Sequence, residues 1–396
     1  MKIFYLTPRV PFPIDKGDKL RAYHQIKHLS EMHEIFLYAI DENAIHNAKD
    51  SPLQDFCKGM KIFQLSRIKI LRNLVNGVFK SVPFQTSYYY SKEIADDIKI
   101  EIKKFQPDVI LCQLIRAAKF VEDINDIPKV IDYVDVISKG LERRINKSNL
   151  LMKFLLKWEY KRAVKYEKRV AEIFDAQIII TDEDKSLLQF KDKNKVKIIP
   201  NGIDFEFFQP VEHPKEYDLF FSGNLSYPPN IDAAEFLVKE IMPIVWKTNP
   251  NAKVLIAGAS PKKRVLSLAS NNIHVNGWTD DIRDYYKTAR IFIAPLQIGT
   301  GLQNKLLQAM AMKMPCVVSE LTQKGVSQEK CDFMLVANEP EEYAEHVNTL
   351  LNNSKAEKEI SEKGFNYVKH NYEWKKIILD LEKILLNCIS KKNGAK

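Results

Sequence analysis

The chain is poor in cysteine, with five in 396 residues: Cys57, Cys112, Cys316, Cys331 and Cys388. The number is odd, no pair forms C-x-x-C, and none stands at a zinc-like spacing from a histidine. A disulfide framework and a zinc module are thereby excluded. Cys112 and Cys316 fall inside apolar runs and read as core thiols, which points to a reducing compartment. No run of about 18 apolar residues occurs, so no segment reads as membrane-spanning. The opening MKIFYLTPRVPFP is broken by Pro8, Pro11 and Pro13 and does not read as a signal peptide, so a cytoplasmic location is expected. Internal repeats and low-complexity tracts are also missing.

What is present is an ordinary globular balance, 45% hydrophobic and 28% charged. The length suits two domains of about 150–200 residues each. A formal net charge of +9 favours anionic partners: phosphates, nucleic acid or an acidic membrane surface. No helix-turn-helix, zinc finger or RNP-like stretch supplies a readout, so nucleic acid is not expected as a partner.

Short apolar strands alternate with longer amphipathic helices, the pattern of βαβ units and parallel sheets. Strands are expected at Lys2–Leu6, Glu34–Ala39, Asp108–Cys112, Lys129–Ile131, Gln177–Thr181 and Val196–Ile199. A second series is expected at Tyr217–Phe221, Ala252–Ala257, Ile273–Val275, Arg290–Ala294, Cys316–Val318 and Met334–Val336. Helices include Asp18–Glu31, Ser91–Phe105, Asn230–Trp246, Asp281–Thr288, Gly301–Lys313 and Glu341–Asn352. Two series imply two Rossmann-like α/β domains, 1–200 and 201–372, joined at the turn Pro200-Asn201-Gly202. A last helix, about Glu373–Ser390 within 373–396, is expected to return to the first domain.

The segment richest in chemistry is APLQIGTGLQNKLLQAMAMKMPCVVS, residues 294–319. A strand ends at Ala294, Gly299-Thr300-Gly301 form a loop, and a helix runs to Lys313 before Pro315. Strand, glycine loop and helix N-terminus together make an anion site, because the first helical N–H groups lack partners and the dipole end is positive. Thr300 is placed to cap the helix, Lys305 to meet a phosphate oxygen one turn in, and Gln308 to bond a ribose or sugar hydroxyl. A plain helix with solvated Lys and Gln would read the same way. The G-x-G-x-x-G dinucleotide fingerprint fails, since its third glycine is Asn304.

These residues carry a resemblance. GTGLQNKLLQAMAMKMPCVVS, 299–319, resembles the donor-site helix of the retaining GT-B glycosyltransferases of family GT4, in the branch associated with exopolysaccharide biosynthesis. IIPNGIDFEFFQP, 198–210, resembles the interdomain linker of that family. FFSGNLSYPPNIDA, 220–233, resembles the opening of the donor domain, and TPRVPFPIDKGDKLRAYHQIKHLSEMHEI, 7–35, the N-terminal acceptor loop and helix. The resemblance implies a GT-B fold: two Rossmann-like domains facing across a cleft, an acceptor domain followed by a nucleotide-sugar donor domain. It implies a hexosyltransferase that moves a sugar from a nucleotide-diphosphate sugar to a saccharide or lipid-linked acceptor with retention. Donor contacts are then expected from Gly223, Asn224, Gly299, Thr300, Gly301, Gln303, Asn304, Lys305 and Gln308, and acceptor or phosphate contacts from Lys16, Gly17, Arg21 and Asp135.

The sequence departs from the family at telling places. Two family glutamates are Thr300 and Gln308 here, a common arginine is Asn224, and a family glycine is Lys313. An alternative function follows: a catalytically impaired GT-B protein serving as a nucleotide-binding or regulatory partner. A nucleotide-sugar epimerase would need a carboxylate set that the donor region lacks. No cofactor and no metal is expected, because the drawn reaction needs only positioning and charge stabilisation at the diphosphate.

Three features remain open at the level of sequence. His24 and His28 share a helix face and read as ordinary surface histidines. Asp132 and Asp135 follow a strand and suit either substrate contact or helix capping. Residues 139–169 are strongly basic, with Leu150, Leu151, Phe154, Leu155 and Trp158 among the charges. That stripe either packs into the first domain or rests on an anionic inner-membrane surface.

Overall fold

A computed structural model describes residues 1–42, 51–78, 81–146, 148–298, 302–327 and 331–394. It divides into two compact units, Met1–Pro200 with Ile377–Lys396, and Asn201–Lys376.

The first unit is built on a seven-stranded parallel sheet: β1 (Lys2–Thr7), β2 (Glu34–Asp41), β3 (Gly59–Gln64), β4 (Val109–Gln113), β5 (Lys129–Asp132), β6 (Ala176–Ile179) and β7 (Lys197–Ile198). Their order is β3-β2-β1-β4-β5-β6-β7. The central strands are apolar throughout because helices cover both faces of a parallel sheet: Ile3 to Leu6 and Val109 to Cys112 are all buried. Among the covering helices are α1 (Gly17–Ser30), α2 (Arg67–Val78), α3 (Lys92–Phe105) and α4 (Leu150–Ile173). The start of α3 is set by Ser91, whose Oγ accepts from the Ile94 N–H at 3.3 Å.

The second unit carries a six-stranded parallel sheet: β8 (Tyr217–Ser222), β9 (Val254–Ala257), β10 (Ile273–Asn276), β11 (Ala289–Ala294), β12 (Cys316–Val318) and β13 (Leu335–Val336), in the order β10-β9-β8-β11-β12-β13. Its helices include α5 (Pro228–Phe236), α6 (Asn304–Ala311), α7 (Pro340–Asn352) and α8 (Ser354–Asn371). A final helix, α9 (Trp374–Gly394), has its residues from Ile377 onward in the first unit, where Glu382 bonds His33 at 2.7 Å.

Every strand expected from the sequence is present, with ends displaced by no more than about two residues. Strand β3 was not expected. It is a half-polar edge strand, and Lys61 leaves it to pair with Asp97 and Glu101 of α3 at 2.7 and 3.0 Å. The turn after Pro200 is locked by packing. A Cβ on Gly202 would stand 2.7 Å from the Trp374 ring, and the Ile203 N–H donates to Tyr372 O at 2.7 Å.

Candidate functional site

In an open parallel sheet, the loops at the carboxyl ends diverge where strand order reverses, and ligands bind there. In the second sheet that point lies between β8 and β11. The loop after β8 and the loop leading from β11 to α6 therefore define the site.

At the end of β8 the chain turns at Gly223, where a Cβ would meet the Asn230 amide at 2.8 Å. Gly258, after β9, has φ of +152° and an added Cβ would lie 1.8 Å from Gly223 O, so both strand ends need glycine to approach. Asn224 spends its side chain locally. Its Oδ1 accepts from the Ser226 N–H and hydroxyl at 2.9 and 2.7 Å, an Asx turn.

Buried Asn230 in α5 joins this loop to α6. Its Nδ2 donates to Asn224 O at 2.9 Å, and its Oδ1 accepts from Lys305 Nζ at 2.9 Å. The Lys305 ammonium also stands 4.7 Å from the centre of the Phe221 ring. Lys305 is half-buried in surface terms but densely surrounded, and the resulting desolvation lowers its pKa to about 7. Burial alone causes the shift, with no neighbouring carboxylate among the described residues to offset it. A bound anion would supply a counter-charge.

The helix itself starts later than expected. It begins at Asn304 rather than Gly301, with Gln303 in the capping position and no side-chain cap. Thr300, expected as the cap, lies with Gly299 and Gly301 outside the described residues. Lys305 is the second helical residue rather than one turn in. Asn304 Oδ1 accepts from Asn201 Nδ2 at 3.2 Å, tying the helix start to the turn after Pro200. By helix geometry the first N–H groups, at Asn304 and Lys305, have no intrahelical acceptor.

Gln308 is in part engaged within the unit. Its Oε1 lies 3.0 Å from the buried Tyr286 hydroxyl, which is equally close to Lys305 O. The amide oxygen is engaged inside the unit, so the amide NH2 is the group left for a ligand. At the far end of α6, Lys313 has φ of +53°. Met314 N–H donates to Ala309 O and Lys313 N–H to Met310 O, both at 3.0 Å, a Schellman ending that favours glycine.

In the first sheet the order reverses between β1 and β4. The loop after β1 lines a cavity of about 330 Å³ with Arg9, Phe12, Asp15, Lys16, Lys19, Asp41 and Tyr89 among its walls. Lys16 is exposed there, while Lys19 pairs with Asp15 at 2.9 Å and Arg9 with Asp18 at 2.5 Å. Gly17 opens α1, and a Cβ on it would meet nothing within 4 Å, so crowding does not demand glycine. Asp135 exposes more than a third of its surface, yet desolvation raises its pKa against the opposing fields of Arg116 and Arg9.

Arg21 is a correction. It is neither a solvated helix start nor a free phosphate contact, but is completely buried on α1. Its Nε donates to Asp132 Oδ2 at 2.6 Å and its guanidinium also reaches Pro200 O at 3.2 Å. Asp132 additionally accepts from Gln25 Nε2 at 3.0 Å and from the Val134 N–H at 3.2 Å. Asp132 is therefore a buried structural anion rather than a substrate contact. His24 and His28 are likewise buried, not surface residues, with rings stacked 6.1 Å apart. Among the described residues, no group of three or more His, Cys, Asp and Glu side chains is arranged to hold a metal ion.

Residues 216–353, which hold the Lys305–Asn230 site, match the family described as "Glycosyl transferases group 1". An "Uncharacterized 44.6 kDa protein in cps region" of Klebsiella pneumoniae is 25% identical over 96% of this chain and 99% of its own length. The Escherichia coli "UDP-Gal:alpha-D-GlcNAc-diphosphoundecaprenol alpha-1,3-galactosyltransferase" is 23% identical over 56% of this chain and 65% of its own. The crystal structure of Anabaena HepE in complex with UDP superposes with a TM-score of 0.69 at 13% identity, covering 98% of this chain and 100% of that one. The fold is GT-B. With the matched group 1 domain, it supports a GT-B glycosyltransferase.

The structure brings Lys305, named from the sequence, together with Asn230 and Phe221, and Gln308 together with Tyr286; Asn230, Phe221 and Tyr286 were not singled out by the sequence. The last two are apolar-run aromatics whose role depends on what faces them. In the first unit Arg9, inside the segment 7–35 but not singled out there, lines the cavity after β1, and Arg116 lies near enough to Asp135 to oppose its raised pKa.

Proposed function

We propose that this chain transfers a hexose from a nucleotide-diphosphate sugar to a saccharide or lipid-linked acceptor, with retention, in cell-surface or exopolysaccharide biosynthesis. The observation that carries this is Lys305, a desolvated ammonium held by Asn230 beside a helix N-terminus, at the switch point of the second sheet. It lies inside the matched group 1 domain. In this reading 201–372 binds the donor and 1–200 the acceptor, with 373–396 completing the first domain. Lys305, the N–H groups at Asn304 and Lys305, and the Gln308 amide hold the leaving diphosphate and ribose. Gly223 lets the diphosphate approach the backbone. The residues of the β1 loop, Lys16 above all, face the acceptor. The chemistry asks no nucleophile of the protein, since positioning and charge stabilisation supply the rate. No metal or other cofactor is invoked.

Support for the donor class comes from the neighbour solved with UDP, and for a lipid-linked acceptor from the relative named for a diphosphoundecaprenol substrate. The cps-region relative favours a polysaccharide pathway. The reading includes a cytoplasmic location, peripheral on the inner membrane, which a lipid-linked acceptor would suit.

The test is thermal stabilisation by UDP, GDP, CMP and ADP and by their sugars, with Lys305→Ala alongside. One nucleotide should raise the melting temperature, and Lys305→Ala should abolish the shift. A second reading has its own observation: both family glutamates are replaced, and the Gln308 oxygen is turned to Tyr286. If a nucleotide binds but no sugar is transferred to any acceptor, the nucleotide-binding or regulatory role is the correct one.

A further inference from the structure

Helix α2 presents Ile68, Leu71, Val75 and Val78 to solvent, and these are 83, 66, 56 and 48% exposed. The spacing puts them on one face, while Ile70, Asn73 and Gly77 are buried on the other. The first half of α4 does the same. Leu150, Leu151, Phe154, Leu155 and Trp158 are exposed, and Leu156, Glu159, Ala163 and Tyr166 face the core. The stripe that sequence reading could have packed inward is therefore the outward one.

The two helices are joined on their buried sides. The Arg162 guanidinium of α4 donates to Gly77 O in the last turn of α2 at 2.5 Å, and also to Val82 O. Glu159 accepts from the Phe84 N–H at 2.6 Å, and Trp158 meets Phe84 edge-on at 5.5 Å. These bonds lie within the first unit and tie the end of α2, and the segment after it, to the middle of α4.

The exposed charges carried by these two stretches of helix are positive. Arg67 and Arg72 border the α2 stripe, and Lys153, Lys157 and Lys161 border that of α4. Lys69 is paired with Glu93 at 2.8 Å. Residues 67–78 contain no acid, and 148–165 contain only Glu159, which is buried and already bonded. Soluble proteins seldom leave apolar stripes of this extent uncovered. A second copy of the chain would bring the same positive surface against itself, an arrangement that like charges oppose. Aliphatic side chains and a tryptophan flanked by Lys and Arg suit the headgroup boundary of an anionic bilayer.

We propose that the outward faces of α2 and the first half of α4 form one surface that docks the first unit on an anionic lipid bilayer. This deepens the inner-membrane placement proposed above and rests on it for its purpose. The chain carries no helix long and apolar enough to cross a membrane among the described residues, so docking would be peripheral.

The test is co-sedimentation of the full chain with phosphatidylglycerol–phosphatidylcholine vesicles and with phosphatidylcholine vesicles. Two double variants, Ile68→Ser with Leu71→Ser and Leu151→Ser with Phe154→Ser, run alongside. All their side chains are exposed, so the fold should persist. The unaltered chain should bind only the anionic vesicles and be released near 1 M salt, where the screening length falls to about 3 Å. Each variant should lose roughly tenfold or more in partitioning, in keeping with the apolar area removed. No binding to anionic vesicles overturns the proposal. So does binding untouched by the α2 variant, or a dimer seen by light scattering that either variant dissolves. Nucleotide-dependent stabilisation, measured on the same samples, should be unchanged in both variants. A chain that binds vesicles but no nucleotide keeps the docking surface and loses the transfer reading; the opposite result loses docking alone.

Discussion

Lys305 gives the sharpest quantitative test. Desolvation holds its pKa at about 7, so near pH 8 the free protein carries a Lys305 that is about nine-tenths neutral. A diphosphate oxygen about 4 Å away interacts with the ammonium by about 4 kcal/mol at an effective dielectric of about 20. At about 1.4 kcal/mol for each pKa unit, that returns the group to about 10. Binding near pH 8 should then draw about 0.9 proton from the buffer, and near pH 6 only about 0.1. Calorimetric titration with the binding nucleotide, in two buffers of different ionisation enthalpy, measures this number directly. Lys305→Met should bind more weakly and show no buffer dependence near pH 8. A buffer-independent enthalpy for the unaltered protein near pH 8 would refute the placement of the phosphate against Lys305.

The same group makes a stability statement in the absence of ligand. Between about pH 7 and 10.5 the unfolded chain holds the Lys305 proton and the folded chain does not, so stability should rise with pH across that window; urea titrations should show the slope reduced in Lys305→Met. Arg21→Met leaves Asp132 buried without its partner and should cost about 3–5 kcal/mol by urea denaturation, and Arg21→Met with Asp132→Leu should recover a good part of it. If the double variant is the less stable of the two, the buried pair is not what the single variant loses. Lys313→Gly relieves a left-handed residue but gives up the Glu362 ion pair of 2.8 Å, whose worth is small at a surface; a net gain of about 0.5–1 kcal/mol in melting experiments is expected, and a loss would count against the strain.

Much of the fold was legible because parallel strands buried on both faces must be continuously apolar. Phe4, Ile110 and Ile291 sit in such runs, and no other element could hide them. Strand β3 escaped notice because an edge strand need be buried on neither face, and its Lys61 and Gln64 look like loop. Helix α6 was recognisable from the glycines before it and Lys305, but its first turn was placed too early. Glycine marks where a helix can begin, whereas the Asn201–Asn304 bond and the backbone at Gln303 belong to where this one does. Charges misled most. Arg21, His24 and His28 look like surface residues, and only the facing Asp132 and the neighbouring helices determine that they are not.

The sequence by itself determined two parallel α/β units, the turn at Pro200-Asn201-Gly202 and the strand–loop–helix segment in which the candidate site lies. Those follow from local periodicity, turn chemistry and glycine spacing, each readable over a few residues. Only the tertiary structure decided that Asn230 and Phe221 attend Lys305, that the Gln308 oxygen is taken by Tyr286, and which of two apolar stripes on α4 faces the core. The physical reason is that a helix with apolar residues on both sides has no inward face of its own. Packing against Gly77 and Phe84 assigned one, and it left the Leu151–Trp158 stripe to the solvent.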